Sequence, residues 1–407
     1  MKIALLITTL MISNIYANPL QDAIDKAPPY STIKLSNGLY IGDIVIDKPL
    51  SIVGVDSAVI ISGQSKGSVV TIRSSGVKLH NLTIRDSGKR MENIDSAIAM
   101  KRVERCSITH CRLKDVLYGI DADMIRESNI TDNYITSYHQ DISMRGDALK
   151  IWYSHHNNIE RNHIELSRDV TLTYSNDNTI RDNYFSNSRF GIHISYSSGN
   201  VVDGNRFEFN SVGVLLMGAK DTNLTSNHIL SSKGAAGIGV TILGASNLKV
   251  EDNLISYNAK GIYIDSKAHE EGMQRYITAN MISHNKEAIH FHQAIKNNTI
   301  THNNIYGNID DIIKDTKGGI TNLNTIEYNY WDRYEGFDRD GDGIGDSTHR
   351  VYQYVDQLWH YNHKLKFFYA TPILSLINFL TKLAPFIEPT LLLEDEKPLM
   401  EMSKKSQ

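Results

Sequence analysis

Apolar and polar residues alternate with period two along most of this chain, in short runs broken by Asn, Asp, Gly and Ser. Period two belongs to strands, and the breaks are turns. The unit is plainest at residues 178–196, NTIRDNYFSNSRFGIHISY: an apolar residue, two variable positions and an asparagine, then a polar turn, a small residue and an alternating apolar run. The apolar-x-x-Asn phrase ends at Asn133, Asn162, Asn183, Asn205, Asn227, Asn253, Asn280, Asn303 and Asn329, 21 to 29 residues apart. A period of this size marks a solenoid. The alternation inside each unit excludes helical repeats, so each unit predicts one coil of a parallel β-helix with about three short strands.

Preference for right-handed parallel crossovers sets the expected hand. Asparagine at one place per coil tolerates a left-handed corner and pairs its amide with the asparagine of the next coil, giving a ladder. Pairs such as Ile120/Ala122, Leu149/Ile151, Ile192/Ile194, Val240/Ile242, Ile262/Ile264 and Ile289/Phe291 are expected to face inward. Their partners, among them Asp121/Asp123, Lys150/Trp152, His193/Ser195, Tyr263/Asp265 and His290/His292, then form an outward face. A site on the solenoid belongs on that face or its bordering turns.

Spacing widens twice. The insertion before Asn162 carries His139, Met144 and Arg145, and the insertion SKAHEEGMQ at 266–274 carries His269 and Met273. Insertions of this kind leave a solenoid as loops. Residues 18–75 predict less regular first coils, with a short helix at Leu20–Lys26 closing the open end of the core.

Beyond the repeat stands NYWDRYEGFDRDGDGIGD at 329–346. Asp338, Asp340, Asp342 and Asp346 around Gly341, Gly343 and Gly345 resemble the front half of a calcium loop, with His349 rather than glutamate at the twelfth place. The tail changes character again: Ile373, Leu376, Ile377, Phe379, Leu380 and Leu383 have helical, amphipathic spacing. This implies a helix that either caps the solenoid or presents an apolar face to a membrane partner. The domains expected are a leader at 1–17, a β-helix at 18–335, an Asp/Gly-rich loop with an aromatic linker at 336–369, and an apolar amphipathic tail at 370–407.

Composition narrows the classes. The net charge of −4, with no basic stripe, argues against nucleic acid. The opening MKIALLITTLMISNIYANPL reads as a secretory signal peptide of the general export pathway. Two cysteines, Cys106 and Cys111, are fewer than a thiolate metal centre usually needs, and Cys111 stands where the repeat has asparagine, so a buried or disulfide role is expected ahead of a thiolate metal site.

GDALKIWYS at 146–154, NSRFGIHISYS at 187–197, NSVGVLLMG at 210–218, EAIHFHQ at 287–293, the Trp/Asp-Gly motif at 329–346 and the closing EDEKPLM at 394–400 together resemble the NosD family of nitrous oxide reductase maturation proteins. The resemblance covers nearly the whole chain after the leader. It implies a periplasmic, non-catalytic β-helix that helps assemble the copper-sulfur centre of nitrous oxide reductase. It also implies partners: an ABC transporter made of permease and ATPase, docked through residues 370–407, and a copper chaperone lipoprotein.

Copper(I) favours thioether and imidazole ligands. Copper candidates are therefore His290 with His292, two residues apart on one strand face, His193 with Met217, one coil apart, and His269 with Met273 in the inserted loop. A second class competes, because secreted β-helices are often polysaccharide-active enzymes or glycan binders. Asp121, Asp123, Asp147, Lys150 and Trp152 are the residues such chemistry would use. A third class is a scaffold that holds other proteins without touching metal.

Overall fold

The computed structural model describes residues 4–7, 18–55, 59–138, 141–265, 274–293, 295–316, 323–353, 367, 371–383 and 389–403. The chain divides into two units, Met1–Asn210 and Ser211–Gln407. Each is a right-handed parallel β-helix with three sheets.

One coil of the first unit runs Asn158–Glu160, His163–Glu165, Asp169–Thr173, one strand in each sheet. The next strands of the three sheets lie 21 residues further on in parallel register, Ile159 beside Ile180 and Ile164 beside Phe185, and in the third sheet a bulge after Asp169 widens the step to 22, putting Leu172 beside Ile194. The second unit repeats the plan, with Val240 beside Ile262 and Ile262 beside Ile289. The residues expected to face inward do so: Ile120, Leu149, Ile192, Val240, Ile262, Ile289 and Phe291 are all buried.

The helix Pro19–Lys26 closes the N-terminal end. Asn18 caps it by accepting from the Gln21 amide, and Pro19 occupies a first-turn position whose missing N–H costs nothing. Its buried face is Leu20, Ala23 and Ile24. Ala4–Ile7 pairs in parallel with Thr32–Leu35; the rest of the expected leader lies outside the described residues, as do His139, His269 and Met273.

The asparagine ladder is present, with one change of detail. Asn133, Asn162, Asn183 and Asn205 pass side-chain amide bonds of 2.9 to 3.0 Å from coil to coil in the first unit. Asn227, Asn253, Asn280, Asn303 and Asn329 do the same in the second. None of these asparagines is left-handed. The left-handed residue is the one before, for instance Asp132, Arg161, Asp252, Ala279 and His302. The side chain of the ladder residue turns into the core, and its predecessor takes the backbone strain. Cys111 heads the ladder: it is buried, its thiol is free, and its backbone amide donates to Asn133 Oδ1. Burial pushes that thiol up to about 12.

Residues 370–407 do not form a single apolar extension. The described helix spans Pro372–Leu383, with Ile373, Leu376, Ile377, Phe379 and Leu380 exposed. After it, Thr390–Asp395 pairs antiparallel with His349–Gln353, so the helix is an insertion between the two strands of one hairpin. Leu392 and Leu393 are buried. Asp395 ends the ladder: its Oδ2 accepts from the Asn329 amide side chain at 2.9 Å, the Asn329 backbone N–H at 3.1 Å and the Trp331 indole N–H at 2.9 Å. The Leu399 amide donates to Asn329 O and the Met400 amide to Gly343 O. A cap, one of the two roles expected of the apolar helix, is thus built by the strand Thr390–Asp395, which buries Leu392 and Leu393 and turns Asp395 to the ladder, and by the Pro-Leu-Met turn, because the last coil ends in hydrogen-bonding groups as well as in apolar surface.

Candidate functional site

In the second unit, register brings Thr241, Tyr263, His290 and Ile313 into one row on the outward face of the third sheet. An outward residue of a lone solenoid would be wet, yet His290 is 1% exposed and Thr241 6%. Buried polar groups need partners, and His290 has charged ones. Its Nδ1 makes a short contact with Glu287 Oε2. Lys260 Nζ holds the same carboxylate at 2.9 Å and lies 2.8 Å from His290 Nδ1.

On the other side of the ring, Asp315 Oδ2 stands 2.9 Å from His290 Nε2 and 3.1 Å from His292 Nδ1. The Nε2 contact is out of line, so that nitrogen has no hydrogen-bond partner. Burial alone would lower the His290 pKa, but Asp315 and Glu287 outweigh it and hold the imidazole above its ordinary value. Glu287 is held below its ordinary value: burial opposes this, and His290 and Lys260 prevail. His292 is half-exposed, and Tyr263 lies against both imidazoles, with ring centroids at 5.2 and 6.2 Å.

The sequence singled out the two histidines but not Asp315, Glu287 or Lys260. The signal was there: the local repeat from Asn280 to Asn303 is 23 residues, and adding it to His292 gives Asp315. The Asp315 amide donates to Phe291 O, which fixes it beside its partner one coil back.

His193 lies in the first unit, in the row Asp121, Lys150, Thr171, His193. Its ring meets Phe190 edge-on, its Nε2 is buried without a hydrogen-bond partner, and burial lowers its pKa. Met217 ends the strand Val212–Met217 of the second unit and is half-buried beside Leu243.

Of the residues an enzyme would use, Asp121, Lys150 and Asp147 are paired, and Asp123 keeps a buried oxygen without a hydrogen-bond partner. Asp121 pairs with Lys150 at 3.4 Å. Asp147 receives Arg168 Nε at 3.0 Å and the Thr171 hydroxyl at 3.3 Å. Asp169, next to Arg168 and not among those residues, is held by Arg189. Burial still raises Asp147 to about 6.

In the acidic loop, Asp338, Asp340 and Asp342 offer carboxylate oxygens within 4.8 Å of one another. Asp346 instead accepts from the Arg339 amide. His349, at the twelfth place, is no ligand: it is buried against Trp331 at 5.0 Å. Asp338 accepts from the Gly343 and Gly341 amides, which hold its carboxyl below the ordinary value. The loop fits a hard cation such as calcium, which would take oxygens from these three residues.

Fold and ladder define a right-handed parallel β-helix protein with a capped C-terminal end. Solved structures of similar fold include the A-module of the Azotobacter vinelandii mannuronan C-5 epimerase AlgE6, with TM-score 0.61, 14% identity, and 77% of this chain and 93% of that one covered. A mannuronic acid specific family 6 polysaccharide lyase from human gut microbiota gives 0.51 at 13% identity, covering 77% and 84%. The DFA-IIIase of Arthrobacter chlorophenolicus A6 without its lid gives 0.51 at 14%, covering 74% and 88%. At these identities the likeness is one of fold. No curated protein sequence matches the chain. The model of the family described as periplasmic copper-binding protein (NosD) matches residues 131–336, just over half of the 407 residues. The chain belongs to that family of periplasmic copper-binding proteins.

Proposed function

We propose that this protein is a periplasmic accessory factor for assembly of the copper-sulfur centre of nitrous oxide reductase, acting without catalysis of its own. Membership of the NosD family supports the copper role. The observation that carries the assembly role is the helix Pro372–Leu383, which keeps five large apolar side chains in water while both flanking strands are pinned to the solenoid. Exposed apolar surface of this kind marks an interaction site. Among the described residues no helix is long and apolar enough to cross a membrane, so the helix suits a permease surface rather than a span of its own. The partners are the permease and ATPase of an ABC transporter, a copper chaperone lipoprotein and the reductase. His193, Met217, His290, His292, His269 and Met273 are the residues from which transient copper ligands would be drawn.

The test separates the helix from the cap. Residues 371–388 are replaced by a Gly/Ser linker that leaves Thr390–Asp395 in place, and binding to the matched transporter is compared with that of the intact chain. Loss of binding by about 100-fold or more, with an unchanged melting temperature, is expected. Full binding by the linker variant, or turnover of alginate by the intact chain, overturns the assembly role.

A further inference from the structure

We infer that Tyr153, Tyr174 and Tyr196, with Trp152 standing across them, form a recognition strip for an extended, uncharged oligosaccharide running along the solenoid axis. The strip begins in the backbone. In the first unit the residue after each of three successive third-sheet strands turns the corner with positive φ: 44° at Tyr153, 50° at Tyr174 and 49° at Tyr196. Bulky side chains are strained there, and at the same phase the second unit uses Gly218 and Gly244. Three tyrosines in succession make a more strained corner than the fold needs.

Register then stacks them. Tyr153 and Tyr174 have ring centroids 5.1 Å apart and lie 25° from parallel, Tyr174 and Tyr196 5.6 Å and 20°. Trp152 meets Tyr153 and Tyr174 edge-on, at 69° and 90°. The four side chains are 36 to 56% exposed. Because the tyrosine faces are turned to one another, solvent meets a row of ring edges and phenol hydroxyls. Among the described residues none of these three hydroxyls has a hydrogen-bond partner. A second column in the same unit gives the contrast. Tyr134, His163 and Tyr184 also stack, at 5.2 and 4.8 Å, but there the Tyr134 hydroxyl donates to Glu165 at 2.6 Å and the Tyr184 hydroxyl to Glu208 at 3.0 Å. That column is satisfied within the protein, whereas the corner column keeps its donors for a ligand.

Three features select the ligand. Coils repeat about every 4.8 Å, close to the advance of an extended glycan per pyranose ring, so equivalent hydroxyls meet equivalent sugar oxygens. A pyranose offers those oxygens to the positive ring edges and the phenols, and C–H surface to the indole of Trp152. The charges alongside are paired: Lys150, 5.8 Å from the Trp152 ring centroid, holds Asp121 at 3.4 Å, and His156 lies 4.0 Å from Asp177. Between them the turn is neutral, His155 Nδ1 accepting from the Asn176 amide at 3.0 Å and Asn176 Oδ1 from the Ser198 amide at 2.9 Å. Such a surface has no excess charge to hold an anionic chain. The strip is also narrow and bordered by Thr173, Ser195 and Asn176, whereas a protein partner suits the broader apolar face of the helix Pro372–Leu383.

The full chain is titrated with cellohexaose and chitohexaose, which are extended, maltohexaose, which is curved, and an alginate hexamer, which is charged; heat and tryptophan emission are both read. Saturable binding of an extended neutral hexamer is expected, preferred by about 10-fold or more over the curved and charged chains. Tyr174→Asn should weaken it by about 2- to 10-fold, and the Tyr153→Asn/Tyr174→Asn pair by about 10-fold or more. Asparagine tolerates left-handed backbone, so both variants should melt with the intact chain or above it. If either fails to fold, Tyr153→Phe and Tyr174→Phe, which keep the stack and remove the hydroxyls, should each still weaken binding by about 2- to 10-fold. The 371–388 linker variant should bind the glycan unchanged, which separates the strip from the assembly role. Absence of saturable binding below about 10 mM, affinity indifferent to the tyrosine variants, or tighter binding of the alginate hexamer overturns the proposal. Loss of transporter binding by the tyrosine pair, with no glycan bound by the intact chain, also overturns it and makes the strip a protein-docking face.

Discussion

Asp311 and His349 carry opposite proton debts in the folded state. Asp311 is buried, one of its oxygens has no hydrogen-bond partner, and Arg333 is 3.9 Å away. Burial raises it from 3.8 to about 7, with Arg333 opposing and Asp332 and Asp310 assisting. His349, its ring tilted against Trp331, is lowered by burial from 6.5 to about 4, against the pull of Asp395. As pH rises from 3.8 to 7 the unfolded chain releases a proton that folded Asp311 keeps, so stability falls. As pH falls from 6.5 to 4 the unfolded chain gains a proton that folded His349 refuses, so stability falls in the other direction. Over the shared window the two slopes oppose, each worth on the order of a few kcal/mol across it. Asp147, raised by burial from 3.8 to about 6, adds a second slope that falls with pH, so the unmodified chain should lose stability as pH rises between 4 and 6, and Asp311→Asn should flatten that loss. Urea unfolding at intervals across that range checks it, and parallel pH profiles for the two proteins would refute it. None of this was legible beforehand: in the sequence Asp311 is one more turn-adjacent aspartate, and only the fold shows that it is sealed in.

At the scale of the element, the ladder asparagine stands out. Asn280 accepts from the Asn253 backbone and side-chain amides and donates to Asn303 Oδ1 and Val250 O. Asn280→Ala leaves several buried groups unmatched, each costing about 1 to 3 kcal/mol, so a loss of roughly 3 to 5 kcal/mol is expected. Asn158, exposed and bonded only outward to Asn129, should cost under about 0.5 kcal/mol when changed to alanine. Equal urea midpoints for the two variants would remove the ladder from the account of stability. The ladder was readable because one residue type recurs at one phase of the repeat. The strained corner before it was not, since Asp132, Arg161, Ala279 and His302 share no chemistry. Sheet rows fall between these cases. His290 and His292 were visible as a pair, whereas Glu287 and Asp315 became their partners only when coil was laid on coil.

At the scale of the whole molecule, the coil length and the inward stripe followed from periodicity, and the C-terminal end did not, because an end has no neighbour to repeat. The tail's apolar run drew attention to the helix, while the closing strand and Pro-Leu-Met turn carry the structural duty. Ending the chain at residue 388 should therefore destabilise the last coil, shown by faster amide exchange at Asn303 and Asn329, whereas the 371–388 linker variant should exchange like the intact chain. Identical exchange in both truncated and intact proteins would deny the cap its role. The cap at Asp395 also decides what a cut does. A chain severed between Gln353 and Thr390 and stripped of the distal piece leaves the ladder at Asn329 unclosed, a raw β-edge able to pair with its neighbours. Such a fragment is consequently sticky rather than merely short, and the strand Thr390–Asp395 acts as a seal against self-association.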